Sequence, residues 1–187
     1  MDYQNAQIAE TYDLVNPWAK DSDFYLSLAG RRPCSVVDLG CATGTLCCAL
    51  AERGHWVTGV DPAAAMLAVA RGKPHAEQVE WVESSAQSYK SQQRFDLVVM
   101  TGHAFQILLT DADALAVLET MRGHLKEGGR VAFETRNPSV DWWASGRRGR
   151  LWSARCPAVN FARRSRSPAR TVNSSHSRLP TALRRGL

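Results

Sequence analysis

The chain has 187 residues, is 44% hydrophobic and 22% charged, and carries 23 Lys and Arg against 18 Asp and Glu for a net charge of +5. That length and apolar content suit one compact domain with a substantial core. No apolar run approaches the roughly 18 residues of a membrane span, and no basic start leads into an apolar stretch, so a cytoplasmic protein without membrane contact is expected.

In chain order, Asp2 to Val15 mixes Ala, Ile and Leu with polar residues at helical spacing, and Asn16-Pro17 ends it. Asp21 to Gly30 predicts a second short helix, with Asp21 or Ser22 as N-cap and Gly30 as stop. Ser35 to Gly40 (Ser-Val-Val-Asp-Leu-Gly) reads as a buried parallel strand with Asp38 near its end, because Val and Leu fill both faces. Gly40, Ala42 and Gly44 then form a turn. Small residues there let the backbone pass close to a ligand, and amides at the start of the next helix, Leu46 to Arg53, point into the same space. Gly54 is placed to end that helix. His55 to Val60 returns as a second strand, with Asp61 at its C-terminal end.

Pro62 suits the first turn of a helix whose buried face is Met66, Leu67, Val69 and Ala70, and Gly72 and Pro74 end it. Gln78 to Glu83 alternates apolar and charged residues, which predicts a third strand near the sheet edge. Phe95 to Met100 is the clearest strand after the first, with Thr101-Gly102-His103 at its end. Asp111 to Leu125 predicts an amphipathic helix capped by Asp111 or Asp113, with Leu115, Leu118, Met121 and Leu125 at helical spacing. Gly128-Gly129 turns the chain into a fifth strand, Arg130 to Thr135. The alternation of strands and helices predicts an α/β fold, a parallel sheet with helices on both faces.

In such a sheet, ligands bind beyond the C-terminal strand ends at a switch point, where Asp38 and Asp61 both lie. Asp61 is placed to accept hydrogen bonds from the two hydroxyls of a ribose, which implies a nucleoside-containing cofactor. Thr45 stands where the third glycine of the dinucleotide fingerprint would fall, which weighs against a nicotinamide-dependent oxidoreductase. Asp38 would repel a pyrophosphate but suits an ammonium or sulfonium charge.

The run from Val37 to Leu46 (Val-Asp-Leu-Gly-Cys-Ala-Thr-Gly-Thr-Leu), followed by Gly59-Val60-Asp61-Pro62, resembles the nucleotide-binding core of the Rossmann-like, class I S-adenosylmethionine-dependent methyltransferases. The resemblance covers about Val15 to Pro138. The family usually has glycine where this chain has Ala42, so weakened binding is expected. The resemblance implies S-adenosylmethionine as cofactor, its methionine portion held by Asp38, Gly40, Cys41, Ala42 and Gly44. It also implies Asp61 with Pro62 at the ribose, and Ser84 or Ser85 at the adenine, where similar enzymes often use an acidic side chain. Thr101 would face the methionine portion and the acceptor. His103 is a candidate general base, with a capping role as the alternative.

In similar proteins the N-terminal helices pack over cofactor and substrate. Tyr3, Tyr12 and Trp18 are therefore candidates for the pocket or the core. Thr101-Gly102-His103-Ala104-Phe105 is not the Asn/Asp-Pro-Pro-Tyr motif of many enzymes that methylate nucleic-acid amines, so a small-molecule methyl acceptor is expected. Cys34, Cys41, Cys47, Cys48 and Cys156 form no C-x-x-C pair, so neither a zinc site nor a disulfide framework is expected. Cys41 reads as a small packed side chain.

The composition changes at residue 142. Twelve basic against eighteen acidic residues leave −6 up to Asp141, while eleven arginines and no Lys, Asp or Glu leave +11 beyond it. The expected organisation is an N-terminal helical segment over residues 1–30, a cofactor-binding core over 31–141, and a basic, disordered tail over 142–187. The tail reads either as a nucleic-acid-binding arm, which would make a non-catalytic RNA-binding protein the alternative function, or as sequence out of its natural frame. The resemblance implies two further strands that this tail does not supply, so the sheet is expected to lack them and to leave the fifth strand as an exposed edge.

Overall fold

The computed structural model describes residues 3–135. Two helices, α1 (Ala6–Val15) and α2 (Lys20–Leu28), precede β1 (Ser35–Leu39), α3 (Thr45–Glu52), β2 (Trp56–Asp61), α4 (Ala64–Arg71) and β3 (Val79–Glu83). β4 (Phe95–Met100), α5 (Asp111–Gly123) and β5 (Leu125–Phe133) complete the described chain. The strands form one sheet in the order β3-β2-β1-β4-β5, and every neighbouring pair is parallel. The strand order reverses between β1 and β4, and β3 lies at an edge, as its alternating sequence predicts.

Both faces of β1 are dry. Val36, Val57, Leu97 and Val99 meet Tyr25 and Leu26 of α2 and Leu46, Cys47 and Leu50 of α3 on one side. Val37, Leu39, Val60, Val98 and Met100 meet Val117 and Met121 of α5 on the other. Each such side chain, fully buried, contributes about 1.5–3 kcal/mol relative to exposure. A smaller cluster of Ala9, Ala63 and Met66 fastens α1 to α4.

Two glycines make room for one ring. A Cβ on Gly44 would collide with the Trp81 indole, and one on Gly59 would lie 2.6 Å from it. Trp81 is held in place by an indole N–H that donates to the Ala76 carbonyl at 3.0 Å. Gly44 is thus required by the packing of α3 over the sheet.

Several local expectations shift by a residue or two. α2 is capped at Ala19, whose amide donates to Ser22 Oγ, and not by Asp21. α5 is capped by Thr110, whose hydroxyl accepts the Asp113 N–H, because that hydroxyl reaches the amide three residues on. Val117 and Met121 form its buried face and Leu115 is 61% exposed. The glycine pair does not precede β5 but lies inside it. Phe95 pairs with Leu125 while Leu97 pairs with Arg130, so the intervening residues of β5 bulge outward. Gly128 takes φ +75° there, and a Cβ on Gly129 would meet the Phe95 carbonyl at 2.9 Å.

No helix among the described residues is long and apolar enough to cross a membrane. The expectations of a basic, disordered tail over 142–187, of its nucleic-acid contacts, and of a sheet without its last two strands lie outside the described residues.

Candidate functional site

Beyond the C-terminal ends of β1, β2 and β4, at the switch point, lies a cavity of about 600 Å³. Its floor comes from strand ends and turns: Asp38, Gly40, Cys41, Ala42, Asp61, Pro62, Ser85, Thr101 and His103 line it. Tyr3, Tyr12 and Trp18 of the N-terminal segment also face it, so these aromatic residues line the pocket. Gly44 and Ser84 do not: Gly44 packs under Trp81, and the Ser84 hydroxyl donates to the Ser85 carbonyl.

Asp38 sits inside β1, opposite Gly59 of β2 and Val99 of β4, and is 1% exposed. One carboxylate oxygen accepts the Cys47 S–H at 3.6 Å, and the other is buried without a partner among the described residues. Burial drives its pKa from 3.8 to about 7, and the nearby Asp61 pushes the same way while the Cys47 thiol opposes them. A buried carboxylate in this state calls for a positive charge or a hydrogen-bond donor.

Asp61 ties two turns together. Its Oδ2 accepts the Ala42 N–H and its Oδ1 the Ala63 N–H, both at 2.8 Å. Burial raises its pKa, against the lowering effect of those two amides. Each carboxylate oxygen has a second lone pair, so acceptor capacity toward the cavity remains. The Ala42 bond is made at a cost, since Ala42 has φ +49°, a left-handed conformation that glycine adopts freely. The amides of Gly40 and Cys41 both donate to the Val60 carbonyl, so the turn is stitched to β2 by its own backbone.

Residues that carry no sequence motif complete the site. Asp13, on α1, accepts from the Thr43 and Thr45 hydroxyls and pairs with Lys73 Nζ at 2.6 Å. Burial alone would raise the Asp13 pKa, but Lys73 and the two threonines bring it below the ordinary value. This clasp holds α1 against the turn, and Gln4 adds a bond to the Pro62 carbonyl. Glu134, just after β5, accepts the His103 backbone N–H. Position at the C-terminal end of a parallel strand, the rule that singles out Asp61, also singles out Glu134. Asp13 has no such mark, because its partners come from segments 30 and more residues away.

A family profile described as "Methyltransferase domain" matches residues 36–129. The cypemycin N-terminal methyltransferase of Streptomyces sp. is 31% identical over 134 residues, which cover 70% of this chain and 55% of that protein. The ubiquinone biosynthesis O-methyltransferase of Stutzerimonas stutzeri (strain A1501) is 34% identical over 124 residues, 63% of this chain and 50% of its own. Among solved structures, an amino pentose methyltransferase of Micromonospora echinaspora with S-adenosylmethionine bound superposes with a TM-score of 0.59 at 25% identity. That match covers 69% of this chain and 56% of that one. The chain spans about half the length of the curated relatives it matches.

Proposed function

The chain belongs to the methyltransferase-domain family, and from that premise we propose that it transfers a methyl group from S-adenosylmethionine to a small-molecule acceptor. The observation that carries this reading is Asp38: a buried carboxylate oxygen without a partner, beside the cavity, suits the cofactor's positive charge. When bound, S-adenosylmethionine supplies a methyl group activated by its sulfonium. Asp38 takes up positive charge in this reading, and the turn from Gly40 to Ala42 lies along the methionine portion. Asp61 offers its remaining lone pairs to the ribose hydroxyls, with Pro62 beside it, and Ser85 offers a hydroxyl to the adenine.

The protein's contribution to transfer is alignment and exclusion of water, with the acceptor lone pair set in line with the methyl group. The aromatic and helical cover from Tyr12 and Trp18 keeps the space dry. His103 receives the proton that the acceptor sheds.

The charge of the cavity narrows the acceptor. Asp13, Asp21, Asp38 and Asp61 line it, and no Lys or Arg does so among the described residues. Such a wall disfavours anionic acceptors and the pyrophosphate of a dinucleotide, and favours neutral molecules and amines, while the single carboxylate of S-adenosylmethionine is outweighed by its ammonium and sulfonium. The test is methyl transfer from radiolabelled S-adenosylmethionine to matched pools of phenols, amines and carboxylic acids. Label is expected in the first two pools, and label confined to the carboxylic acids would contradict the reading.

A further inference from the structure

His103 stands in a constrained setting. Both it and Gly102 take left-handed conformations, at φ 63° and 62°, immediately before the turn Ala104–Ile107. Non-glycine residues take such angles uncommonly, histidine more readily than most. Glu134 braces the backbone at this position. Its Oε1 accepts the His103 backbone N–H at 2.9 Å and lies 3.3 Å from the ring Nδ1.

The ring contact is out of line for a hydrogen bond, yet Nδ1 is enclosed from solvent and has no other partner among the described residues. An ionised carboxylate can only accept. A bare Nδ1 would therefore set two lone pairs against each other with no water between them. A protonated Nδ1 removes that conflict and leaves Nε2 bare.

We propose that Glu134 is a positioning residue that fixes the His103 ring in its Nδ1–H form, so that Nε2 is the proton acceptor of the methyl-transfer site. The inference rests on the proposed methyl transfer for its purpose, but not for its geometry. In the step itself the acceptor's lone pair forms the new bond to the methyl carbon, and the sulfur keeps the electron pair of the bond that breaks. The proton lost by the acceptor passes to Nε2. The imidazolium so formed has the Glu134 carboxylate at its other nitrogen, and it later returns the proton to water. An acceptor served in this way carries its proton at neutral pH, as a phenol or an amine does.

The test uses the full chain labelled with ¹⁵N-histidine, with long-range proton–nitrogen spectra recorded at a pH where the ring is neutral. The His103 signals are assigned by their loss in His103→Gln. The expected parent spectrum has Nδ1 protonated and Nε2 bare. In Glu134→Gln, which keeps an oxygen for the His103 amide, the ratio of Nδ1–H to Nε2–H forms is expected to fall about fivefold, because a neutral acceptor holds the proton less strongly than a charged one. In Glu134→Ala it falls further. A parent ring protonated at Nε2, or a ratio unchanged by both substitutions in protein that still binds S-adenosylhomocysteine, overturns the proposal. Failure of the parent to bind S-adenosylhomocysteine would count against the proposed function, whereas the ring spectra read the pairing by themselves.

Discussion

Replacing Asp38 with asparagine separates what the site needs from what the fold tolerates. In the free protein the Asp38 carboxyl releases its proton near pH 7, whereas in the unfolded chain it does so near 3.8. Between these values the folded state binds more protons than the unfolded one, so stability is greatest at the acid end of this window. It falls as pH rises from about 4 to about 7, and is level above. At about 1.4 kcal/mol per pKa unit, the ionised carboxylate costs the empty protein on the order of 4 kcal/mol at pH 8. The asparagine of the variant has no charge to bury, but its amide is left short of partners, so a gain of about 2–3 kcal/mol is expected.

The assay is urea unfolding of parent and Asp38→Asn at intervals from pH 5 to 8.5. The variant is expected to be the more stable at pH 8 and to lack the part of the parent's decline up to pH 7 that Asp38 causes. It is also expected to bind S-adenosylmethionine more weakly, by tenfold or more. A parent whose stability does not decline relative to the variant's over this range would refute a buried, destabilising Asp38 carboxylate.

The other substitutions probe the turn and its cover. Ala42→Gly relieves a left-handed alanine worth about 1–2 kcal/mol and loses part of that to chain entropy, so the urea midpoint should rise slightly, by the equivalent of up to ~1 kcal/mol. Gly44→Ala sets a methyl group into the Trp81 ring at a positive φ, and a loss of about 2–5 kcal/mol is expected by the same assay. Asp13→Ala removes two hydroxyl bonds and a partly exposed ion pair with Lys73, so amide hydrogen exchange in α1 should quicken about fivefold or more while β1 and β4 stay protected.

The central sheet and the carboxylates at its strand ends are legible in the sequence because their signals are local. Val36, Val37 and Leu39 are apolar on both faces, and such a run at this length has few places to go but the middle of a parallel sheet. Asp38 and Asp61 stand out as charges at the ends of apolar runs. The bulge in β5 is not legible, because Gly128-Gly129 signals a sharp change of direction without saying whether the strand resumes its pairing. Gly44 reads in the sequence as a point of ligand approach, since nothing near it shows that Trp81, 37 residues later, occupies that space. The Asp13 clasp and the Glu134 contact are likewise products of tertiary folding, and the acceptor's identity depends on the cavity's shape and charge.

In the proposed function, Asp61 helps to form the cofactor site. The measurement is calorimetric titration of S-adenosylhomocysteine into the parent and into Asp61→Ala, with circular dichroism and a urea midpoint showing that each is folded. Asp61→Ala leaves the amides of Ala42 and Ala63 without their acceptor, so some loss of stability accompanies it. Saturable binding by the parent, weakened tenfold or more in the folded variant, is the predicted result. A folded parent that does not bind, or a variant that binds as tightly as the parent, would contradict it.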